Sequence, residues 1–193
     1  MKKALAVFLC FPLLNACAQQ TTVDTVQSIV IDSDDSRSDA EIAAQFLSEI
    51  LPNRPDSPFA KKAAESGTIT VCTLTDVPEG WELKELEVSS YSDYLTMHYR
   101  NADSQREISF IWGFGTENFN AETMSKCFQS APLPGYEGYY YIESEDDTGA
   151  AIRQIFWADD GMQMQVNVPA GLIQGAAPMP VHTEKASFSY PMQ

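Results

Sequence analysis

The sequence predicts an α+β fold in which one or two N-terminal helices cover an antiparallel sheet of about six or seven strands. Three observations support this prediction: helical spacing of apolar residues near position 40, alternation of apolar and polar residues from position 68 onward, and turn-forming Gly, Asp and Asn between the alternating runs. A single such set of elements is typical of one domain, which we place at residues 38–193.

The helices are predicted from their capping residues. Ser38 and Glu41 match a capping box, in which each side chain bonds the backbone N–H of the other residue. Pro52 ends this first helix because it cannot donate a backbone hydrogen bond. A second, shorter helix is predicted between Ser57 and Gly67. The first helix carries apolar side chains at helical spacing, which predicts that it docks on a core: Ile42, Phe46 and Ile50.

The strands are predicted from alternation and from the turns between them. Asp159-Asp160-Gly161 is a strong hairpin signal. Residues 29–31 are apolar and are predicted to form an edge strand. Pro and Gly dominate residues 169–180, so we expect an irregular tail. The remaining predicted strands cover residues 68–74, 82–90, 94–100, 106–112, 139–143, 151–157 and 162–168.

The N-terminus has the features of an export signal. Two lysines precede an apolar run of about eleven residues, which is shorter than the roughly 20 residues that a membrane-spanning helix needs. The run ends at Leu14-Asn15-Ala16-Cys17, which resembles the lipobox of bacterial lipoprotein precursors. The resemblance implies cleavage before Cys17 and lipidation of its thiol. Residues 1–16 would then form the signal peptide.

A lipidated Cys17 implies attachment to the cell envelope. Residues 17–37 are then the lipidated cysteine and a flexible polar tether, and the membrane is the expected partner. By resemblance to enterobacterial lipoprotein sorting, a cysteine that no aspartate follows favours the outer membrane. Two alternatives stay open. Cleavage after Ala18 would release a periplasmic or secreted protein beginning at Gln19, or the segment would stay uncleaved.

Cysteine usage is consistent with export. Apart from the signal segment and Cys17, the chain has two cysteines, Cys72 and Cys127, an even number in an oxidising compartment. A disulfide between them would close a loop of about 55 residues and stabilise the fold by about 4 kcal/mol. The alternatives are two free buried thiols, or a catalytic Cys72 with His98 or His182 as its base.

Charge and motifs exclude several classes of function. The formal net charge of −15 leaves no basic surface for a phosphate backbone, so we expect no nucleic-acid partner. Standard nucleophile, zinc and nucleotide motifs are missing from the sequence, and we predict no enzyme activity, metal or cofactor. The acidic runs have a spacing similar to that of calcium-binding loops, but we interpret them as a solvated surface. The methionine set would suit copper, but we interpret it as core packing.

Four residues are candidates for contact with a ligand. Tyr136, Tyr139 and Tyr141 belong to a tyrosine cluster that suits stacking on a sugar or a peptide. His98 lies on the polar side of a predicted strand, where a ligand contact is one interpretation and a satisfied surface residue is the other. Aromatic residues are also ordinary strand formers, so the tyrosines have a purely structural interpretation as well.

An ordered series of motifs links the domain to a known class. Pro78-Glu79-Gly80-Trp81, the strand at residues 94–101 and Trp157-Ala158-Asp159-Asp160-Gly161 resemble motifs in the extracytoplasmic domains of anti-sigma-factor-like membrane proteins and of lipoprotein-carrier-like proteins. The resemblance covers roughly residues 75–168. It implies a non-enzymatic, β-rich sensing or binding domain.

The sequence therefore predicts a tethered envelope module that binds or interacts with a partner without catalysis. The alternative is a periplasmic carrier or sensor of a hydrophobic ligand held between sheet and helices. An enzyme of unrecognised type is the third hypothesis. The carrier hypothesis predicts a cavity with four apolar lining residues: Leu95, Met97, Ile108 and Phe110.

Overall fold

The computed structural model describes residues 26–32, 34–88, 94–102, 106–114, 130–146, 148–172 and 180–190. Its helices are α1 (Asp39–Ile50) and α2 (Pro58–Ser66). Its strands are β1 (Gln27–Val30), β2 (Thr68–Leu74), β3 (Trp81–Val88), β4 (Leu95–Asn101), β5 (Glu107–Phe114), β6 (Ala131–Pro132), β7 (Tyr140–Glu145), β8 (Ala151–Asp159), β9 (Met162–Pro169) and β10 (Thr183–Ser189).

Eight of the strands form one antiparallel sheet in the order β1-β3-β4-β5-β9-β8-β7-β6. The predicted α+β class with an antiparallel sheet is confirmed. The edge strand predicted at residues 29–31 is also confirmed, because β1 pairs with β3 alone. At the other edge, β6 has only two residues. A strand of this length is too short to show an alternation of apolar and polar residues, so the sequence does not predict it.

Alternation along β3, β4 and β5 gives this part of the sheet one apolar and one polar face. In β4, Leu95, Met97 and Tyr99 are buried, whereas Thr96 and His98 point to the opposite face. Residues that are paired across β3, β4, β5 and β9 lie on the same face, so apolar residues face apolar residues from strand to strand. The apolar face packs beneath the helices and forms the core.

Helix α1 begins where the capping box predicts. The Ser38 hydroxyl accepts a hydrogen bond from the N–H of Glu41 at 3.3 Å, and the Glu41 carboxylate accepts one from the N–H of Ser38 at 2.8 Å. Ile42, Phe46 and Leu47 are buried on one side of the helix. The apolar stripe therefore fixes which side of α1 faces β2 and β3.

Helix α2 also begins and ends at the predicted residues. The Ser57 hydroxyl accepts from the N–H of Ala60 at 3.1 Å, and Pro58 takes the first helical position, where no N–H donor is needed. Gly67 ends the helix with a φ of 69°, a left-handed conformation that costs glycine little. Helix α2 packs on β2 and β5.

The turn between β8 and β9 confirms the predicted hairpin. Asp159 and Met162 are paired in register, so Asp160 and Gly161 alone form the connection. Their φ angles are 51° and 74°, and positive φ at both central positions matches the twist of the flanking strands. Aspartate tolerates that conformation better than most residues and glycine adopts it freely.

The predicted irregular tail is wrong for residues 183–189. These residues form β10, which pairs antiparallel with β2 as a separate two-stranded sheet. Ala186 and Phe188 are partly buried in an otherwise polar segment, which is a weak alternation that the preceding Pro and Gly residues conceal. Strand β10 forms because its backbone hydrogen bonds to β2, and the residues of β10 alone do not predict that pairing.

Two predicted features lie outside the described residues: the lipobox at Cys17 and the disulfide partner Cys127. Both stay predictions. Within the described residues, the structure contains no helix that is long and apolar enough to cross a membrane.

Candidate functional site

The sheet separates the four residues that the sequence proposes as ligand contacts. Tyr141 lies on the apolar face, paired with the buried Ile155 of β8, whereas His98 lies on the polar face. Tyr136 and Tyr139, in the loop before β7, also pack against the core. The structure therefore brings the three tyrosines to one side of the sheet and leaves His98 on the other.

The tyrosines belong to a group of partly exposed side chains that we call the aromatic rim. The ring of Tyr139 stacks on the buried Trp157, with ring centroids 5.2 Å apart. Trp157 in turn stacks on Phe110 in the core at 6.1 Å. The rim is therefore anchored to the centre of the molecule. Its members are Tyr136, Tyr139, Tyr141, Arg153 and His182.

One end of the aromatic rim is held by a hydrogen-bonded histidine. The ring of Tyr136 meets Tyr139 edge-on at 5.6 Å and lies 6.1 Å from the ring of His182. Nδ1 of His182 bonds the carboxylate of Asp76, which also accepts from the hydroxyl of Thr75 at 2.7 Å. The His182 side chain is 62% exposed, so it presents a polar edge beside the rings.

The other end of the aromatic rim combines a ring with a guanidinium group. The Arg153 guanidinium lies over the ring of Tyr141, 4.8 Å from its centroid. Nε of Arg153 donates to the carboxylate of Glu143 at 2.8 Å, which fixes the plane of the guanidinium. The ring and the guanidinium attract each other in this arrangement.

A second group, which we call the polar network, lies on the opposite face of the sheet and comprises Glu85, His98, Arg100, Glu107 and Ser109. Nδ1 of His98 lies 2.6 Å from Oε1 of Glu107, and the Ser109 hydroxyl donates to the same oxygen at 2.8 Å. Arg100 donates to Oε2 of Glu107 at 2.8 Å and to Glu85 at 3.0 Å.

The polar network favours the charged forms of its two central groups. Burial raises the pKa of Glu107, but the hydrogen bonds and charge of its partners, His98 first, outweigh burial and lower that pKa to about 2. Burial lowers the pKa of His98, but the hydrogen bond to Glu107 and the charges of Glu87 and Glu85 outweigh it and raise that pKa. The two groups therefore form an ion pair.

The polar network contains one hydroxyl within hydrogen-bond reach of a possible base. A nucleophile has to lie within hydrogen-bond reach of its base. The Ser109 hydroxyl donates to Glu107, and Nδ1 of His98 contacts that same carboxylate. Among the described residues, Nε2 of His98 has no hydrogen-bond partner and lies 3.7 Å from the carboxylate of Glu87. The lowered pKa of Glu107 makes its carboxylate a weak base, which disfavours removal of a proton from the Ser109 hydroxyl.

Cys72 is completely buried in β2, where it pairs in register with Lys185 of β10. Within the described residues it forms no disulfide, and its predicted disulfide partner Cys127 lies outside them. Burial raises the pKa of this thiol to about 11. A raised pKa disfavours the thiolate that a nucleophile needs, which argues against the catalytic interpretation of Cys72.

A cavity of about 220 Å³ opens beside α2, β2 and the turn between β8 and β9. Its lining includes the apolar residues Phe59, Ile69 and Met162 and the basic residues Lys62 and Lys185. The four side chains predicted to line a ligand cavity do not line this one. They are completely buried in the core: Leu95, Met97, Ile108 and Phe110.

The acidic residues of the described segments are not gathered into a metal site. Within those segments, no group of three or more His, Cys, Asp or Glu side chains is placed to hold an ion. Glu143, from the acidic run weighed for calcium, pairs with Arg153. Asp147 of that run lies outside the described residues, and the neighbouring Asp146, in the turn after β7, accepts from the N–H groups of Thr148 and Ala150, both at 2.9 Å.

Comparison of the chain with protein-family models, with curated proteins and with solved structures finds no match. Function therefore has to be inferred from the geometry of the chain itself.

Sequence reasoning missed the residues that complete both groups. Arg153 and His182 of the aromatic rim reach the tyrosines from β8 and from the segment before β10. In the polar network, His98 and Arg100 are two residues apart on β4, as are Glu107 and Ser109 on β5, which places each pair on one face. That spacing was a usable signal, but the register between the strands decides which pairs meet.

Proposed function

We propose that this chain is a lipid-anchored, non-catalytic binding module of the bacterial cell envelope, and that the aromatic rim contacts its ligand. The lipobox-like sequence at Cys17 supports export and anchoring. The stacked tyrosines support binding of an envelope component with flat apolar faces, such as a sugar or a peptide.

The order of the aromatic rim is the observation that carries this proposal. Tyr139 rests on Trp157, and Tyr141 rests against Arg153, so these rings are held before a ligand binds. Pre-ordered aromatic and arginine side chains lose little conformational freedom on binding, which is why they dominate the energetics of many interfaces. The polar network, in contrast, satisfies its own charges and offers fewer open contacts.

Photo-crosslinking in the cell envelope tests the aromatic rim. A benzophenone amino acid replaces Tyr141 in the full precursor, and a matched control carries it at the exposed Lys61 on α2. We expect a light-dependent adduct with one envelope component at position 141 and none at position 61. Adding Tyr136→Ala should lower the adduct yield about tenfold, the effect of losing roughly 1.4 kcal/mol of binding free energy.

Two outcomes of this experiment count against the proposal. If position 141 gives no adduct in a protein that is exported and folded, the rim has no stable ligand in the envelope. If positions 141 and 61 give the same adducts in the same yield, the contacts are random collisions.

The carrier hypothesis is the second candidate, and the cavity beside α2 is the observation that favours it. Its volume of about 220 Å³ exceeds that of an engineered apolar cavity that binds benzene, about 150 Å³, and is below the range for drug-sized ligands. A carrier would therefore hold only a small apolar molecule or one end of a longer one. Native mass spectrometry of the purified full chain should then show the mass of the protein plus a bound small molecule. The mass of the protein alone, without a bound molecule, would contradict this role.

A further inference from the structure

The two edges of the eight-stranded sheet are built differently. The β6 edge has two residues, Ala131 and Pro132, and proline has no N–H to offer to a further strand. The β1 edge has four residues, Gln27–Val30, with no proline and no charged side chain. Short length and proline protect an edge from pairing with another chain. Beyond β6, the same edge continues along β7, which carries the charged Glu143 and Glu145, so of the two edges the β1 edge is the one with neither proline nor charge.

The backbone of β1 leaves one row of hydrogen-bonding groups turned away from the sheet. The N–H of Ile31 donates to the carbonyl of Lys84 next to β3 at 2.9 Å. Because these groups alternate in direction along an antiparallel strand, those of Val26, Ser28 and Val30 point outward. Among the described strands, none pairs with this outer side of β1.

The side chains of this edge are also exposed. Val30 is 81% exposed and Val26, which directly precedes β1, is 48% exposed. In the described part of the chain, these two valines are the large hydrophobic side chains that are exposed to solvent. Together with Ser28, they lie on one face of the strand, since side chains alternate with period 2.

This edge is complementary to itself. If two copies of β1 run antiparallel with Ser28 opposite Ser28, then Val26 of each copy lies opposite Val30 of the other. Every outward backbone group of the three residues then finds a partner, and the exposed valines cover each other as direct cross-strand pairs. A two-fold symmetric contact of this kind needs one surface only.

We propose that the outer edge of β1 pairs with the same edge of a second copy of this chain, antiparallel and centred on Ser28. The contact joins two eight-stranded sheets into one continuous sheet. It is independent of the aromatic rim, which lies next to β7 at the far side of the sheet. A strand of another protein is the competing occupant, and the experiment distinguishes the two.

Cysteine crosslinking of the full chain in an oxidising envelope tests the register. In the proposed pair, the two Ser28 Cα atoms lie about 5.5 Å apart, within the range of a disulfide. Ser28→Cys should therefore form a disulfide-linked homodimer. Val26→Cys and Val30→Cys should crosslink when coexpressed, but neither alone, because like positions lie about 14 Å apart along the strand. The unsubstituted chain, with its native cysteines, gives the background.

A proline pair supplies the matched control. Ser28→Pro removes an outward N–H and keeps the inward hydrogen bonds to β3, so it should abolish the Val26→Cys and Val30→Cys crosslink and lower the melting temperature less than Gln27→Pro does. Gln27→Pro removes an inward N–H that serves the pairing with β3, so it should lower the melting temperature.

Three results would overturn the proposal. The first is a folded, exported Ser28→Cys chain that stays monomeric together with an uncrosslinked valine pair. The second is crosslinking of Val26→Cys or Val30→Cys alone in the same yield as the mixture, which indicates random collisions. The third is a Ser28→Cys adduct with a different protein in place of the homodimer.

Discussion

At the scale of single residues, the surroundings of His98 decide what its imidazole does. Its side chain is only 15% exposed and lies between Glu107 of β5 and Glu87 of β3. Both partners come from neighbouring strands, so the local sequence around His98 shows no reason for a raised pKa. Two carboxylates favour the imidazolium form and turn a lone strand histidine into one half of an ion pair.

This ion pair predicts a pH-dependent stability. The folded protein raises the pKa of His98 above its ordinary 6.5, so the contribution is fully present below pH 6.5 and is lost as the pH rises through the raised pKa. Folding lowers the pKa of Glu107 from 4.5 to about 2, so its contribution is present above pH 4.5 and is lost as the pH falls toward 2.

His98→Gln should therefore destabilise the protein most between about pH 4.5 and 6.5, by about 1–3 kcal/mol, and less at higher pH. Urea unfolding of the two proteins across this pH range measures the difference. Glu107→Gln and the double variant complete a double-mutant cycle, which isolates the energy of the pair from other effects of each substitution. A difference that does not vary with pH would contradict an ion pair.

At the scale of elements, caps and turns fix where helices and hairpins begin and end. The capping box at Ser38, the proline and glycine that bracket α2, and the Asp160-Gly161 turn all act through backbone groups within a few residues. These short-range interactions are visible in the sequence, and the structure confirms each of them. Strand β10 is the contrast, because its hydrogen-bond partner β2 is far away in the chain.

The capping box predicts the effect of a single substitution in α1. Ser38→Ala removes the acceptor for the N–H of Glu41 and should lower the free energy of unfolding by about 1 kcal/mol. Ser48→Ala, the same change within α1, removes no cap and should be neutral or slightly stabilising because alanine favours helix. Denaturant unfolding of both variants measures the two effects. Equal destabilisation would show that the cap contributes nothing specific.

At the scale of the whole molecule, the chain divides into layers with different tasks. Helices α1 and α2 and the β2–β10 pair cover the apolar face of the large sheet, while its polar face carries the His98 ion pair. The aromatic rim lies at the side of the sheet near β7, and the unprotected β1 edge lies at the other. The two proposals, ligand binding at the rim and self-pairing at β1, therefore concern separate surfaces.

The proposed anchor at Cys17 predicts where the molecule is found. The precursor expressed with its own signal should yield a membrane-bound protein whose intact mass begins at Cys17 and includes acyl chains. Cys17→Ser should move the protein out of the membrane fraction, because the thiol that carries the lipid is gone. An unmodified mass beginning at Gln19 would contradict the anchor and would make the protein diffusible.

The sequence by itself determined the fold class, both helices with their caps, and most strands of the large sheet. Helical and strand periodicity, capping residues and turn residues are local properties, so they can be read in the order of the chain. The strand predicted at residues 82–90, for example, corresponds to β3, which the structure places at Trp81–Val88.

Only the tertiary structure decided which side chains meet. Strand order places Glu107 beside His98, brings Arg153 over Tyr141, and takes β2 out of the large sheet to pair with β10. These contacts join residues that are distant in sequence. A shift of one residue in the register of a strand would turn its side chains to the other face of the sheet and break the side-chain contacts. Site geometry therefore depends on long-range pairing, which no local pattern in this chain specifies.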